Sequence, residues 1–444
     1  MNRMRQIILV IGLIALIATS ALAHGYRGND FWLAFPQNAI LEGDKALSLS
    51  LYITAESRAS GTISYLDNIV PFSVETGSSI EVDLDTELQI LSSSQTGRKA
   101  VHIVCDNDIS VYAVRHRAAS TDSYMAIPTP YLGTDYVIAG YTTLRNGPES
   151  FTSQAAIVAT QKNTLITIHL SGPTREGLPK GRTISFELDS GSTYQLQGSQ
   201  NEGDLTGTTV TATKPIAFFT GHTCAQVPIS ESYCNTLLEM EAPSNDWGKS
   251  YILTKFARKD YYEARVIARD DSTVVSLNGE KRAWLMRGGF YEFDTLRSDA
   301  IVTASKPILL AQYSTSSTAD SLIVGDPFML LAIPDDRFIK EVTTTSVTTG
   351  SWENYLNVVA PDNGVVTLSM DNSPIESEKY PLAVRLLSER KIPSARVTIF
   401  TFNVPPGRHL LQCGSPIAVY SYGFGLGNDN YDSYGHGCGE RLEK

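Results

Sequence analysis

Lys214-Pro215-Ile216-Ala217-Phe218 is the stretch that decides the fold, because it recurs in divergent form three more times. Proline suits the first position of a strand, since it donates no ladder hydrogen bond and pre-sets an extended backbone. The other copies are Asp108-Ile109-Ser110-Val111-Tyr112, Lys306-Pro307-Ile308-Leu309-Leu310 and Ser415-Pro416-Ile417-Ala418-Val419. Four copies of one strand entry predict a repeated architecture.

Two further patterns recur four times in the same order around these copies. A strand, a polar turn and a second strand come before each copy: Ile53-Thr54-Ala55 to Gly61-Thr62-Ile63, Val158-Ala159-Thr160 to Thr164-Leu165-Ile166, Ile267-Ala268-Arg269 to Thr273-Val274-Val275, and Val359-Ala360-Pro361 to Gly364-Val365-Val366. An apolar segment ending in Pro is predicted to open each unit: Leu33-Ala34-Phe35-Pro36, Met125-Ala126-Ile127-Pro128, Met240-Glu241-Ala242-Pro243, and Leu331-Ala332-Ile333-Pro334. The patterns are explained by strand and turn formation, which indicates a structural role.

The segments between turns alternate with the period of a half-buried strand, as in Leu47, Leu49, Leu51 and Ile53. We predict an all-β protein of four divergent, tandem, sandwich-like repeats of about 100 residues. An eight-bladed β-propeller is the alternative, with two blades in each unit. Two segments are predicted to hold a short helix, Cys234 to Glu241 and Pro381 to Lys391.

The predicted organisation is a signal peptide followed by four repeats. Arg3 and Arg5 precede an apolar run from Ile7 to Ile17, and Ala21-Leu22-Ala23 is a small-residue cleavage pattern, as in secretory leaders. We therefore expect a secreted protein, extracellular or at the cell surface, without membrane insertion after cleavage. The expected ranges are 1–23 for the signal, 24–118, 119–232 and 233–316 for the first three repeats, and 317–444 for the fourth, with a disulfide-clamped loop at its end.

The formal net charge of −11 and the absence of a Lys/Arg-rich block exclude typical nucleic-acid and anionic-lipid binders, which need a basic surface. Local signatures of catalysis, such as GxSxG, HExxH and a Walker loop, are missing from the sequence. The acidic pairs Asp270-Asp271 and Asp335-Asp336 lie in turn-like contexts. We expect no enzyme activity, no cofactor and no metal site.

Five cysteines in an exported chain favour disulfide pairing. We predict that Cys224 pairs with Cys234 and Cys413 with Cys438, with Cys105 left over in an apolar strand pattern. The loops that these pairs close are the candidate binding loops, because binding residues concentrate on loops held by a rigid scaffold. The candidate binding residues are His222, Gln226, Tyr233, Asn428, Asn430, Tyr431, Asp432, Tyr434 and His436.

A calcium site at Asn428, Asn430 and Asp432 is a weaker alternative for the second loop. The stretch offers oxygen ligands but lacks the Glu that completes an EF-hand loop.

An ordered set of motifs resembles the N-terminal domain of IgG Fc-binding proteins. The set includes Asp204-Leu205-Thr206-Gly207-Thr208, Gly221-His222-Thr223-Cys224-Ala225-Gln226-Val227-Pro228, Trp247-Gly248-Lys249, Gly325-Asp326-Pro327 and Asn354-Tyr355-Leu356-Asn357. The resemblance spans nearly the whole mature chain and implies an extracellular domain without a known enzymatic activity. The Cys-dense modules of the large animal members are missing, so we expect a monomer.

The leading functional hypothesis is a non-enzymatic binding or adhesion protein whose rigid β units present loops to an extracellular protein or glycoprotein, either mucin-like or on a host surface. A passive structural component of a surface or matrix is the first alternative. A secreted carbohydrate-active enzyme is the second, since two carboxylates placed by the fold are sufficient for glycoside hydrolysis.

Overall fold

The computed structural model describes residues 26–39, 47–117, 119–146, 149–375, 383–427 and 431–442. Within these ranges the chain is all-β, as predicted, and its helical segments are 3-10 turns of three residues. None of the described helical segments has the length or apolar character that a membrane crossing requires. The predicted signal peptide lies outside the described residues.

The strands pair into four groups, and each group has two antiparallel layers, which one long strand connects in the first and fourth groups. We number the strands of each group from first to eighth along the chain. In one layer the neighbouring strands are, from edge to edge, the fourth, third, sixth and first. In the other layer they are the fifth, second, seventh and eighth. Both sheets contribute apolar side chains to one core, which makes each group a β-sandwich. The prediction of sandwich-like repeats is confirmed, and separate propeller blades are not needed to explain the pairing.

The first sandwich contains β1 to β5, β7 and β8, and the long β7 supplies both its sixth and seventh strands. Their bounds, with the short β6, are β1 Gly28–Leu33, β2 Ser48–Ala55, β3 Ala59–Tyr65, β4 Asn68–Val74, β5 Ser78–Leu84, β6 Thr96–Gly97, β7 Val101–His116 and β8 Asp122–Met125. The second sandwich and its extra hairpin, β10 with β11, comprise β9 Asp135–Val137, β10 Leu144–Asn146, β11 Glu149–Phe151, β12 Ser153–Ala159, β13 Thr164–His169, β14 Thr183–Leu188, β15 Thr193–Gln197, β16 Thr209–Ala212, β17 Ile216–Ala225 and β18 Asn235–Met240. The short β6 pairs with β15 and so joins the second sandwich.

The third sandwich has eight strands without additions. They are β19 Ser250–Leu253, β20 Tyr262–Ala268, β21 Thr273–Leu277, β22 Glu280–Leu285, β23 Phe290–Leu296, β24 Ala300–Ala304, β25 Ile308–Ser314 and β26 Met329–Leu331. The fourth comprises β27 Ile339–Ser346, β28 Trp352–Pro361, β29 Ser369–Met370, β30 Ser373–Pro374, β31 Arg385–Ile392, β32 Val397–Val404, β33 Gly407–Gly425 and β34 Ser433–Gly437. Its β31 is an added edge strand beside β32, and its long β33 supplies both the sixth and the seventh strand.

Strand β13 shows why these segments form sheets. Ile166 and Ile168 are fully buried in the core of the second sandwich, while Leu165 and His169 on either side of them face solvent and Thr167 between them is half-buried. Alternation with period two places every second side chain on the same face, so the apolar set packs and the polar set stays hydrated.

Three local expectations are corrected. The predicted helix at Cys234 to Glu241 is strand β18, and the described part of the predicted helix at Pro381 to Lys391 contains strand β31. The second strand expected at Gly364-Val365-Val366 is instead a 3-10 turn over Val365–Thr367. Pairing of β18 with β17, and of β31 with β32, outweighs the weak helical pattern of the sequence.

The predicted repeat boundaries remain a prediction, but pairing shows what lies next to them. Strands β8, β18 and β26 each follow a predicted boundary, and each pairs with the seventh strand before it. Three of the four apolar-Pro segments lie just after an eighth strand and lead into a 3-10 turn. The segment at Phe35-Pro36 follows a first strand instead, so it is not equivalent to the others.

The four sandwiches close into a ring through their eighth strands. In cyclic order, β8 packs against β18, β18 against β26, β26 against β34, and β34 against β8. Asp122 of β8 joins both neighbours, because its carboxylate accepts hydrogen bonds from Leu238 N (2.8 Å) and Gly435 N (3.3 Å). The Tyr26 hydroxyl also donates to Glu440 Oε1 at 2.9 Å, which joins the two ends of the described chain.

Glycine and proline meet at each connection between consecutive sandwiches. A Cβ atom added to Gly133 would lie 2.4 Å from Pro243 Cβ, and one added to Gly248 would lie 2.3 Å from Pro334 Cβ. Gly28 approaches Pro128 in the same way. These close approaches explain why a residue without a side chain recurs at or just before the start of the first strand.

Candidate functional site

The connections from seventh to eighth strand meet at one end of the ring. We call the segments 117–121, 226–234, 315–328 and 426–432, in their described parts, the crown. Hydrogen bonds join them: Ser316 Oγ donates to Tyr233 O at 2.7 Å, and Asp326 N donates to Tyr431 O at 2.9 Å. Thr121 N donates to Asp432 Oδ1 at 2.8 Å. The four sandwiches therefore build one continuous loop surface.

Large apolar side chains are exposed on this surface, although each sandwich has a closed core. Leu322 is 53% exposed and Ile323 58%, on the loop of the third sandwich. Their counterparts on the loops of the second and fourth sandwiches are Ile229, Tyr233, Leu426 and Tyr431. Exposed apolar groups clustered on connected loops are typical of interaction sites, whereas single ones are ordinary.

Tyr233 and Tyr431 stack on one another across the crown. Their ring centroids lie 5.6 Å apart with an interplanar angle of 20°. The first ring belongs to the second sandwich and the other to the fourth, so the pair joins the two candidate binding loops that the sequence indicated. Aromatic anchors of this kind carry much of the energy in protein interfaces.

A disulfide between Cys224 and Cys234 closes the loop that presents Tyr233, and this predicted bridge is present. The bridge packs against Ala39, Leu144 and Phe151, so the extra hairpin β10–β11 supports it from outside the sandwich.

The second predicted bridge is corrected, because Cys413 and Cys438 are free thiols in the structure. Their sulfur atoms have different partners: Cys413 Sγ donates to Gly364 O at 3.3 Å, and Cys438 Sγ donates to Thr344 Oγ1 at 3.2 Å. Cys105 is also free and buried.

Lys259 holds the crown loop of the third sandwich from below. Its buried ammonium lies 2.9 Å from Asp320 Oδ2 and donates to the backbone oxygens of Thr315, Val324 and Gly325 at 2.7 to 2.9 Å. The burial of Lys259 lowers its pKa, which the carboxylates of Asp320 and Asp326 oppose. A loop fixed at both ends by one cation presents Leu322 and Ile323 in a defined arrangement.

Two buried carboxyl groups lie beneath the tyrosine pair. Desolvation raises the pKa of Asp432 to about 8, against hydrogen bonds from Thr121 that lower it. Desolvation likewise raises the pKa of Asp326 to about 7, although hydrogen bonds from Ser317 oppose the shift. Both groups serve the internal polar network of the ring.

The structure separates the predicted binding residues into two sets. Tyr233 and Tyr431 are exposed and Gln226 is half-buried. The buried set contains His222, Asp432, Tyr434 and His436. These four side chains are enclosed within the ring, and a partner contact of the candidate loops stays a prediction. Asn428 and Asn430 lie outside the described residues.

The two histidines of the buried set have internal roles. His222 Nδ1 accepts a hydrogen bond from Cys224 N at 3.1 Å, and His436 Nδ1 lies 2.7 Å from Ser123 Oγ. Burial lowers the pKa of each histidine to about 3. The Ser123–His436 pair is enclosed at the centre of the ring, so a substrate cannot reach it. In the described part of the chain, no group of three or more His, Cys, Asp and Glu side chains is placed to hold a metal ion.

Sequence reasoning missed four exposed residues of the crown, Ile229, Leu322, Ile323 and Leu426. The available signal was weak: each is an apolar residue in a segment bounded by Gly, Pro, Ser and Asp. The sequence around Lys259 does not indicate its role in holding the loop, because its partners lie about sixty residues further along the chain.

Known proteins match about two thirds of the chain. Over 320 residues, or 69% of its length, the chain is 29% identical to the IgGFc-binding protein of Homo sapiens. The chain spans only 6% of that relative. A family model described as IgGFc binding protein matches residues 122–423, from the eighth strand of the first sandwich to the seventh of the fourth. Since this match covers well over half of the sequence, the chain belongs to the IgGFc binding protein family.

Proposed function

We propose that the chain is a secreted, non-enzymatic binding protein that contacts an extracellular protein or glycoprotein through its crown. The observation that carries the proposal is the set of six exposed apolar side chains on loops that are fixed from within. Rigid presentation lowers the entropy lost on binding, so affinity is gained without new contacts. The family's description and the name of the human relative both refer to binding, which supports this class of function.

Two features favour binding over the alternatives. A passive structural component gains nothing from exposing Leu322 and Ile323, since exposed apolar groups promote aggregation. A glycoside hydrolase requires an accessible pair of carboxyl groups, but Asp326 and Asp432, the acids beneath the crown, are buried in hydrogen-bond networks.

The test compares the chain with a crown variant, Tyr233→Ser with Leu322→Ser, on immobilised IgG Fc, mucin glycoproteins and an array of extracellular proteins. Loss of two interface anchors is expected to weaken binding by roughly tenfold or more. The matched control is Leu165→Ser, which removes a similarly exposed leucine from the outer face of the second sandwich. Equal binding by the crown variant and the parent chain would contradict the proposal, and so would the absence of any bound protein.

A further inference from the structure

A cleft lies between the third and fourth sandwiches, away from the crown. The cleft has a volume of about 720 Å³, within the range of small-ligand sites. Ser250 and Ile252 of β19 face it together with Thr303 and Ile301, their register partners in β24. Its floor is therefore the face of the third sandwich's sheet at its β19 edge.

The rim of the cleft carries a donor and an acceptor that do not pair with each other. Asp362 N donates to Arg396 O at 2.9 Å, which holds the two residues side by side. The Arg396 guanidinium nevertheless forms no hydrogen bond or ion pair with a described residue. Among the described residues, only Thr398 Oγ1 donates a hydrogen bond to the Asp362 carboxylate, at 2.9 Å. Arg396 has φ 54°, in the left-handed region that non-glycine residues seldom adopt. Backbone strain of this kind is often found at ligand sites.

The charges select the class of ligand. An anion would satisfy Arg396 but would be repelled by Asp362 and by Asp335 on the opposite part of the rim. A cation would be repelled by the Arg396 guanidinium. Hydroxyl groups donate to a carboxylate and accept from a guanidinium at once, and the C–H face of a sugar ring can pack on the half-buried Ile301 at the floor. We propose that this cleft binds a neutral saccharide unit, independently of the crown.

Saturation-transfer NMR and calorimetry on the full chain test this with three neutral disaccharides: N-acetyllactosamine, mannobiose and N,N′-diacetylchitobiose. Sialylated N-acetyllactosamine and deacetylated chitobiose serve as the anionic and cationic counterparts. We expect at least one neutral disaccharide to bind and both charged compounds to bind more weakly.

Arg396→Ala and Asp362→Asn should each weaken neutral-sugar binding by roughly tenfold, since each removes a charged hydrogen-bonding group. The matched control is Arg385→Ala, which removes another exposed arginine of the fourth sandwich. A Tyr233→Ala chain should keep full sugar binding, so failure of the crown proposal would not affect this one. Three results would overturn the saccharide site: no neutral disaccharide bound even in large excess, a preference for a charged compound, or equal binding by the Arg396→Ala chain.

Discussion

The carboxylate of Asp122, in the first sandwich, accepts a hydrogen bond from the backbone N–H of Leu238, in the second, over 2.8 Å. The same carboxylate reaches Gly435 N of the fourth sandwich. One side chain thus satisfies backbone donors of two neighbouring eighth strands at the centre of the ring. The contact explains how strands that do not pair with each other pack without leaving these donors unsatisfied.

Replacement of Asp122 by Ala should therefore destabilise the ring. Leu238 N and Gly435 N would lose an acceptor in a buried site, and we expect a loss of about 1–3 kcal/mol for each unsatisfied group. Asp108→Ala, on an exposed part of β7, is the control and should be near neutral. Urea unfolding measures both, and equal midpoints for the two variants would contradict the role of Asp122.

Lys259→Met should loosen the crown loop of the third sandwich. Removing the ammonium leaves Asp320 buried without its cation, and breaking a buried pair in this way costs about 3–5 kcal/mol. Lys391→Met is the matched control, since its pair with Glu389 is exposed and contributes about 1 kcal/mol or less. Amide exchange over residues 315–326 should rise in the Lys259 variant alone; unchanged exchange there would show that the loop is held by other contacts.

Removal of the Cys224–Cys234 bridge should lower both stability and crown binding. Closing a short loop stabilises a fold by roughly 3 kcal/mol through the unfolded chain. The double variant Cys224→Ser with Cys234→Ser should lose about that amount of unfolding free energy, and a reductant should not lower its stability further. A Cys438→Ser chain, which keeps the bridge, should still lose stability in the reductant. If the double variant unfolds at the parent's urea concentration, the bridge contributes nothing to stability.

Gly133→Ala should destabilise the connection between the second and third sandwiches. The new methyl group would lie 2.4 Å from Pro243 Cβ, and overpacking of this kind costs roughly 1–3 kcal/mol. Pro243→Gly removes that Cβ atom and should relieve the clash, so the double variant is expected to be more stable than the sum of the single changes. Strict additivity in thermal unfolding would argue against the contact.

Stability should fall as the pH rises above neutrality. Burial raises the pKa of Glu440 and Asp432 to about 8 and that of Asp326 to about 7. A carboxyl group with a raised folded-state pKa stabilises the fold fully below its ordinary pKa near 4, and this contribution is lost as the pH passes through the folded value.

His222 and His436, with lowered pKa values, act in the opposite sense but only below about pH 6.5. The melting temperature should therefore decrease between about pH 7 and 8.5, and the thiols of Cys105 and Cys438, whose pKa burial raises to about 12, add to the decrease at the upper end of this range. Asp432→Asn should flatten this slope. A melting temperature that rises over the same range would contradict the assignment.

Much of the sandwich architecture was predictable because it depends on short stretches of sequence. The four strand entries at Asp108, Lys214, Lys306 and Ser415 all lead into seventh strands, and three of the strand-turn-strand pairs are second and third strands. Strand periodicity and turn residues depend on neighbours in sequence, so one chain is sufficient to reveal them.

The ring and the composition of the crown were not predictable in the same way. The eighth strand at Asn235–Met240 resembles a short helix in sequence, and only its contacts with β17, β8 and β26 make it a strand. Asp432 and His436 are polar residues in a Gly/Tyr-rich stretch, which suggested an exposed loop. Their burial depends on partners more than three hundred residues away, Thr121 and Ser123.

The hydrogen bond between Tyr26 and Glu440 places the two ends of the described chain next to each other. Both residues lie near Ile333 and Pro334, at the ends of the eighth strands that point away from the crown. The two ends of the described chain therefore lie together at the pole opposite the crown. A pulling force applied at Tyr26 and Glu440 would act on the contact between the first and last sandwiches before it reached the tyrosine pair.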